Sequence, residues 1–301
     1  MFRFKSQQTF GLWLQPERLT TLHAEQGIVA HVQPVALPKA GPGKATGCTW
    51  DFGVLGAEAL HLFEDQTFPL TAFFRWHLER VHPTRKTHLV LVSSARSQGI
   101  SGALWEQAFA PLALAGFQHL QPADVLVAAH MRQHQGSVLL LYCEDGLAEL
   151  RVVHRGQLVE RLQVGYGRFI AREIRRQFYQ QHGIYLELST AEQAWRTLTA
   201  YPDIQQVTLQ GPQGSQLLLH EELAVIIARA MEPLYEEVRL LQSAYDLPRL
   251  WLMGAQHTLE GLFPVLEDTF QGKIDRVNQP EDALISALQM YLHQPGFTEG
   301  V

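Results

Sequence analysis

Apolar and polar positions change pattern most sharply over residues 137–153, SVLLLYCEDGLAELRVV. An apolar run at 138–141 meets a polar turn at Glu144-Asp145-Gly146, and alternation follows. Leu147, Glu149, Arg151 and Val153 share one parity, and Ala148, Leu150 and Val152 the other. A buried strand, a tight turn containing Gly and a second strand with a wetter face are the expectation.

The same reading runs along the rest of the chain. Residues 10–37 predict two or three strands (FGLWL, LTTLHA, IVAHVQPVAL), and PKAGPGKATG at 38–47 a loop. Residues 58–63 predict a short helix, and 71–81 an amphipathic one with Phe74, Leu78 and Val81 as its stripe, stopped by Pro83. Residues 88–93 read as a buried strand, 101–115 as a helix kinked by Pro111, and 124–131 as a helix with Asp124 as its N-cap. After the central hairpin come a strand at 157–163, a Gly165-Tyr166-Gly167 turn, and helices at 168–182 and 190–199. A hairpin spans 206–220, and a long helical pattern at 221–245 is interrupted by Pro233. Strands at 250–253 and 274–277 alternate with helices at 258–270 and 281–292. Alternating strands and helices, each half opening on a meander, predict an α/β protein of two lobes, 1–134 and 135–301.

Composition narrows the function classes. The chain has 301 residues, 46% hydrophobic and 18% charged, with net charge -6, which fits a globular protein and gives no basic footprint for nucleic acid. Cys48 and Cys143 stand far apart without metal-ligand spacing, so no disulfide framework and no zinc site is expected. No apolar run approaches the roughly 20 residues that span a bilayer, so a cytoplasmic location is expected. Phe2 and Phe4 beside Arg3 and Lys5 could touch a membrane surface, which would place the chain at its inner face.

Some residues invite chemistry on their own. His130 and His134 have the i, i+4 spacing of helix-borne metal ligands but no acidic partner, and read as surface histidines. Ser93, Ser94 and Ser101 lie in no G-x-S-x-G elbow. Arg168, Arg172, Arg175 and Arg176, with Glu173, share a broad helix face: a solvated surface or a docking face for an acidic partner or anionic headgroups. Phe73, Phe74 and Trp76 offer an exposed contact, although Phe74 suits the core stripe better.

The order of elements from 157 onward resembles the bacterial actin (MreB-type) branch of the actin, Hsp70 and sugar-kinase superfamily. The resemblance rests on Val-Gly-x-Gly at 164–167, Ser-Thr-Ala-Glu at 189–192, Glu-Pro-Leu at 232–234 and Leu-x-Gly-Leu at 259–262. The opening MFRF…GLWL…GIVAHVQPVAL and TAFFRWHLERVH…HLVLVSS fit more loosely. It implies a two-lobed actin-like ATPase (ribonuclease H-like) fold, with a reduced outer subdomain on the first lobe because 35–71 is short.

The resemblance also implies ATP between the lobes, held by two hairpin turns that pair glycine N–H groups with metal-binding aspartates. In place of the first turn stand Trp13-Leu14-Gln15-Pro16, where proline has no N–H to donate. In place of the second stand Tyr142-Cys143-Glu144-Asp145-Gly146-Leu147-Ala148-Glu149, in which Gly146 and Glu149 match. Glu144 or Asp145 facing a phosphate charge at about 4 Å would cost roughly 1–4 kcal/mol. Gly165 and Gly167 fall at the purine-side turn, Glu192 opens the next helix with Trp195 where a lysine is expected, and Gly254 begins the last loop. The water-orienting acid falls near Asp124.

These changes imply a vestigial cleft of Gly146, Glu149, Gly165, Gly167, Glu192 and Gly254, with Asp124 as a vestigial catalytic candidate and no resident metal or cofactor. The expected function is a cytoskeletal or scaffold protein that binds filament subunits or membrane-linked assembly proteins in cell shape, division or pilus assembly, and a homo-oligomer is compatible with it. The alternative is an ATP/Mg-binding actin-like filament protein.

Overall fold

Two five-stranded sheets built on one plan carry the chain. The computed structural model describes residues 8–15, 18–39, 49–54, 60–62, 68–81, 87–93, 102–112, 114–133, 136–144, 147–201, 203–254, 265–277 and 280–293. By contacts the chain divides into Met1–Ala129 with Glu281–Val301, and His130–Pro280. The expected lobes, 1–134 and 135–301, assign the last helix to the second lobe; here it goes with the first unit.

In the first unit β1 (Gln8–Leu14), β2 (Leu19–His23) and β3 (Gly27–Val32) form an antiparallel meander. The outer strands β4 (Val35–Lys39), β5 (Thr49–Phe52) and β6 (Leu60–His61) make a small separate sheet in the order β5-β4-β6. The chain then returns through α1 (Leu70–Val81) and adds β7 (Thr87–Ser93) parallel to β1. After α2 (Gly102–Phe109) and a 3-10 turn at Ala110–Leu112, β8 (Gly116–Leu120) pairs parallel to β7, giving the order β3-β2-β1-β7-β8.

Both faces of that sheet are covered, so β1 reads as a near-continuous apolar run. Phe10, Leu12 and Leu14 face a core shared with Phe73, Phe74, Trp105 and Phe109. Edge and offset ring contacts tie that core together, with Phe74–Phe109 at 4.6 Å and Phe109–Phe117 at 4.5 Å between centroids. On the opposite face Gly11 meets the terminal helix: a Cβ there would sit 3.0 Å from Leu288 and Leu292. Gly11 thus serves packing against that helix.

In the second unit β9 (Val138–Glu144), β10 (Leu147–His154) and β11 (Gln157–Gly165) repeat the meander. The β10–β11 turn is Arg155-Gly156, both at positive φ (52° and 75°), the two-residue turn whose twist suits a hairpin. Next come α4 (Gly167–His182), α5 (Leu188–Ala200), the hairpin β12 (Gln206–Gly211) and β13 (Gly214–Leu219), α6 (His220–Ala230) and α7 (Glu232–Tyr245). Pro233 starts α7 within its first turn, where its missing N–H is tolerated, so the long helical pattern becomes two helices joined at Met231. Then β14 (Arg249–Gly254) pairs parallel to β9 and β15 (Lys273–Arg276) parallel to β14. The order is β11-β10-β9-β14-β15. The terminal helix α8 (Pro280–Leu292) closes the described chain.

Several expectations change. The helix expected at 58–63 is replaced at Leu60–His61 by strand and at Leu62 by a buried turn residue; 58, 59 and 63 lie outside the described residues, as do 40–48 of the expected loop and 255–264. The sequence pattern assigns no element to residues 116–120; GFQHL is β8, and its glycine is required because a Cβ at Gly116 would lie 2.5 Å from the His88 ring. The third helix, α3 (Pro122–Gln133), begins before Asp124, because Pro122 is preset for a first helical position. Asp124 is therefore a first-turn residue and not the N-cap. Phe73 and Phe74 are both fully buried, so neither is a surface contact.

Candidate functional site

The register of the second sheet gathers the sequence-selected glycines along one edge. Gly165 ends β11 opposite Leu147, where β10 begins. Leu147 pairs with Glu144 at the end of β9, and Cys143 pairs with Gly254 at the end of β14. Gly254 sits at φ +145°, and a Cβ there would fall 2.0 Å from the Cys143 carbonyl oxygen. Only glycine allows those two strand ends to close up. Gly167 is the first residue of α4, preceded by the buried Tyr166. Gly146 and Asp145 lie outside the described residues.

Polar groups beside this edge are turned to internal use. Glu149 and Arg151 were expected on a wetter face; each is 1% exposed. The Arg151 Nη2 lies 3.9 Å from Glu149 Oε2, and its Nη1 donates to the Leu150 and Leu162 carbonyls at 3.0 and 3.3 Å. A carboxylate in this setting persists because a guanidinium accompanies it. Tyr142, where the resemblance puts an aspartate, is buried and cross-strand from Glu149. Burial, with Glu149 second, pushes the neighbouring Cys143 thiol far up, so it is no nucleophile. Burial likewise pushes the Tyr235 phenol up to about 12, with Cys143 and Glu232 adding smaller effects.

The first hairpin turn is closed by its own side chains. Gln15 and Arg18 exchange backbone bonds across it: Gln15 N–H donates to the Arg18 carbonyl at 2.8 Å, and Arg18 N–H returns at 3.4 Å. The Arg18 guanidinium donates to Gln15 Oε1 through Nε and Nη2 at 3.3 and 3.1 Å, and it ion-pairs with Glu281 on α8. Gln15 Nε2 also reaches Glu281 Oε1 at 3.4 Å. Trp13, where the resemblance places an aspartate, is not in a turn at all. It lies inside β1, opposite Thr20 and Val92, and is 2% exposed. Sequence reasoning missed Arg18, Glu281 and Arg151; only the charged pair in Gln15-Pro16-Glu17-Arg18 hinted at the first.

Asp124 belongs to the first unit, and its charge acts on a histidine. His119 on β8 meets the buried Ser93 at the end of β7, with Oγ and Nε2 2.5 Å apart. Burial lowers the His119 pKa, and the Asp124 carboxylate partly offsets this. Glu192 is half-buried on α5, and Trp195 on the same helix is buried in the core. His130 is buried edge-on against Trp251 at 4.3 Å, which corrects its reading as a surface residue; His134 lies outside the described residues. Among the described residues no group of three or more His, Cys, Asp or Glu could hold a metal ion, and no helix is long and apolar enough to cross a membrane.

Two meander sheets extended by parallel strands, in two units of one chain, define the actin-like ATPase fold. No family model and no curated protein matches the sequence. Solved structures do. MreB5 of Spiroplasma citri bound to ADP superposes with TM-score 0.65 at 12% identity, over 95% of this chain and 96% of that one. A non-polymerising MamK mutant bound to AMPPNP gives 0.59 at 9%, over 96% and 99%, and the archaeal actin homolog Ta0583 gives 0.57 at 13%, over 94% and 98%. The fold is that of the MreB-type actin-like proteins.

Proposed function

We propose that this chain is a bacterial actin-like cytoskeletal or scaffold protein that works through protein–protein contacts and does not hydrolyse ATP. Its partners would be filament subunits or proteins of a membrane-linked assembly for cell shape, division or pilus assembly. The observation that carries the reading is the pair of hairpin turns. At the first, Pro16 removes a donor, and Arg18 binds Gln15 and Glu281. Beside the second, Glu149 is buried against Arg151. Groups that would serve a triphosphate and its metal in a working cleft are committed to the protein's own structure.

A second reading is an ATP-binding filament subunit. It is favoured by neighbours of the same fold that are bound to ADP or AMPPNP, and by a MamK double helical filament that superposes with TM-score 0.60 at 11% identity. If nucleotide does bind, Gly146, Gly165, Gly167 and Gly254 are the positions where backbone could approach it. The vestigial roles of Glu192 and Asp124 belong to the first reading, and so does membrane contact through Phe2 and Phe4.

Calorimetric titration with ATP and magnesium decides between the readings. The wild type should give no binding heat, and a Glu144→Gly/Asp145→Gly double variant should recover part of it. Micromolar binding by the wild type would overturn the first reading and make light scattering with ATP the next measurement.

A further inference from the structure

The exposed side of α4 is unusual for a solvated helix. Ile170, Ala171, Ile174 and Phe178 turn into the core, as expected of an amphipathic helix. The opposite side carries Phe169 at 52% exposure, Arg172, Arg176 and Tyr179 at 61%. These positions follow the three- and four-residue steps that keep side chains on one stripe. Large exposed aromatics spaced with arginines are the residue types that dominate the energetics of protein interfaces.

Two of the arginines are already held in place. Arg175 lies 5.0 Å over the Tyr185 ring and donates to its hydroxyl at 2.6 Å and to the Leu186 carbonyl at 2.8 Å. Arg176 pairs with Glu173 and donates to Gln180 Oε1 at 2.9 Å. Arg172 has no ion-pair partner among the described residues. Preordered side chains lose less freedom when a ligand arrives.

We propose that the Phe169–Arg172–Arg176–Tyr179 stripe docks an acidic amphipathic helix of a partner protein. Arg172 and Arg176 stand one turn apart, about 5–6 Å, which is the separation of two Glu side chains at i and i+4 on a second helix. Phe169 and Tyr179 lie about 15 Å apart along the axis and take the apolar residues that flank those acids. Glu173 sits within the face and would repel a uniformly negative membrane, so discrete carboxylates fit better than a headgroup layer. The inference rests on the scaffold reading and names the chemistry of its partner.

The test uses the full chain and a labelled helical peptide of repeated Glu and Leu with Phe at the flanks, followed by fluorescence anisotropy. The wild type should bind in a salt-sensitive way. Phe169→Ala and Arg172→Glu should each weaken binding about tenfold or more with unchanged melting temperature, because both side chains point outward. A peptide with Lys in place of every Glu should not bind. Equal affinity of wild type and variants, or stronger binding to phosphatidylserine vesicles lost in the same variants, would overturn the proposal. ATP titration of the same samples keeps the two conclusions apart: nucleotide binding with an intact peptide response removes only the scaffold reading, and loss of peptide binding without nucleotide binding removes only the docking face.

Discussion

The two five-stranded sheets have the same strand order and opposite habits on one face. In the first, the face bearing Gly11 and Trp13 is uncharged on β1 and β2, with the Thr20 hydroxyl beside Trp13, and it is closed by Leu288 and Leu292 of α8. In the second, the corresponding strands bury Glu149 and Arg151. The difference teaches how one topology can fill the same face in two ways. The first meander fills its turn and packs a hydrocarbon seal, while the second keeps charges and turns them on each other. A seal of hydrocarbon tolerates small changes; a buried ion pair does not tolerate losing one member.

That contrast can be broken most forcefully at Arg151. Arg151→Met leaves Glu149 buried without its guanidinium and should cost about 3–5 kcal/mol by urea denaturation, whereas the Glu149→Gln/Arg151→Met double variant should regain most of the loss. If the single variant is as stable as wild type, the pair is not what holds the second sheet's charges.

The first sheet has its own buried polar contact, and pH reaches it. Burial, with the Arg80 charge second, pushes His77 down to about 4, and its Nε2 lies 2.6 Å from the Thr21 hydroxyl. The folded state therefore disfavours the proton that the unfolded chain accepts below about 6.5. Stability contributed by this site is present above pH 6.5, falls as pH drops toward 4, and loses about 3 kcal/mol in all. Denaturation series at several pH values should show that slope, and His77→Gln should flatten it.

Glycines sharpen the comparison further. Gly254→Ala sets a Cβ against backbone that cannot move and forces an L side chain to positive φ, so it should cost about 3 kcal/mol. Gly11→Ala only presses on the ends of leucine side chains and should cost about 1–2 kcal/mol. Melting temperatures of both variants would rank them. Smallest of all, Arg18→Ala removes a half-exposed pair at the first turn and should shift stability by no more than about 1 kcal/mol. A large loss there would mean that the turn is bound to α8 more tightly than an exposed ion pair allows.

The alternation that announced the fold was plain in the sequence because apolar periodicity records which strand faces are buried, whatever the turns carry. The central hairpin, the α4 turn and the break at Pro233 were all legible. Strand β8 was not, since GFQHL is short and its glycine makes sense only once His88 lies beside it. Nor was the burial of Glu149 and Arg151. A charged parity on a strand ordinarily signals solvent, and only the strand's place as an inner member of a sheet covered on both faces reverses that signal. The strand ends that carry Gly165 and Gly254 were legible, and the polar partners were not, because Arg18 finds Glu281 across a separation of 263 residues.

That separation sets an order of events during synthesis. Most of the first unit precedes the second along the chain, yet the helix that seals Gly11 is made only after the second. The intervening unit, His130–Pro280, is continuous and can fold as soon as it is made, while its predecessor waits with an apolar sheet face uncovered. A nascent chain halted before α8 would therefore be a client for chaperones and proteases in its first unit, and α8 acts as the release signal for the strands made before it.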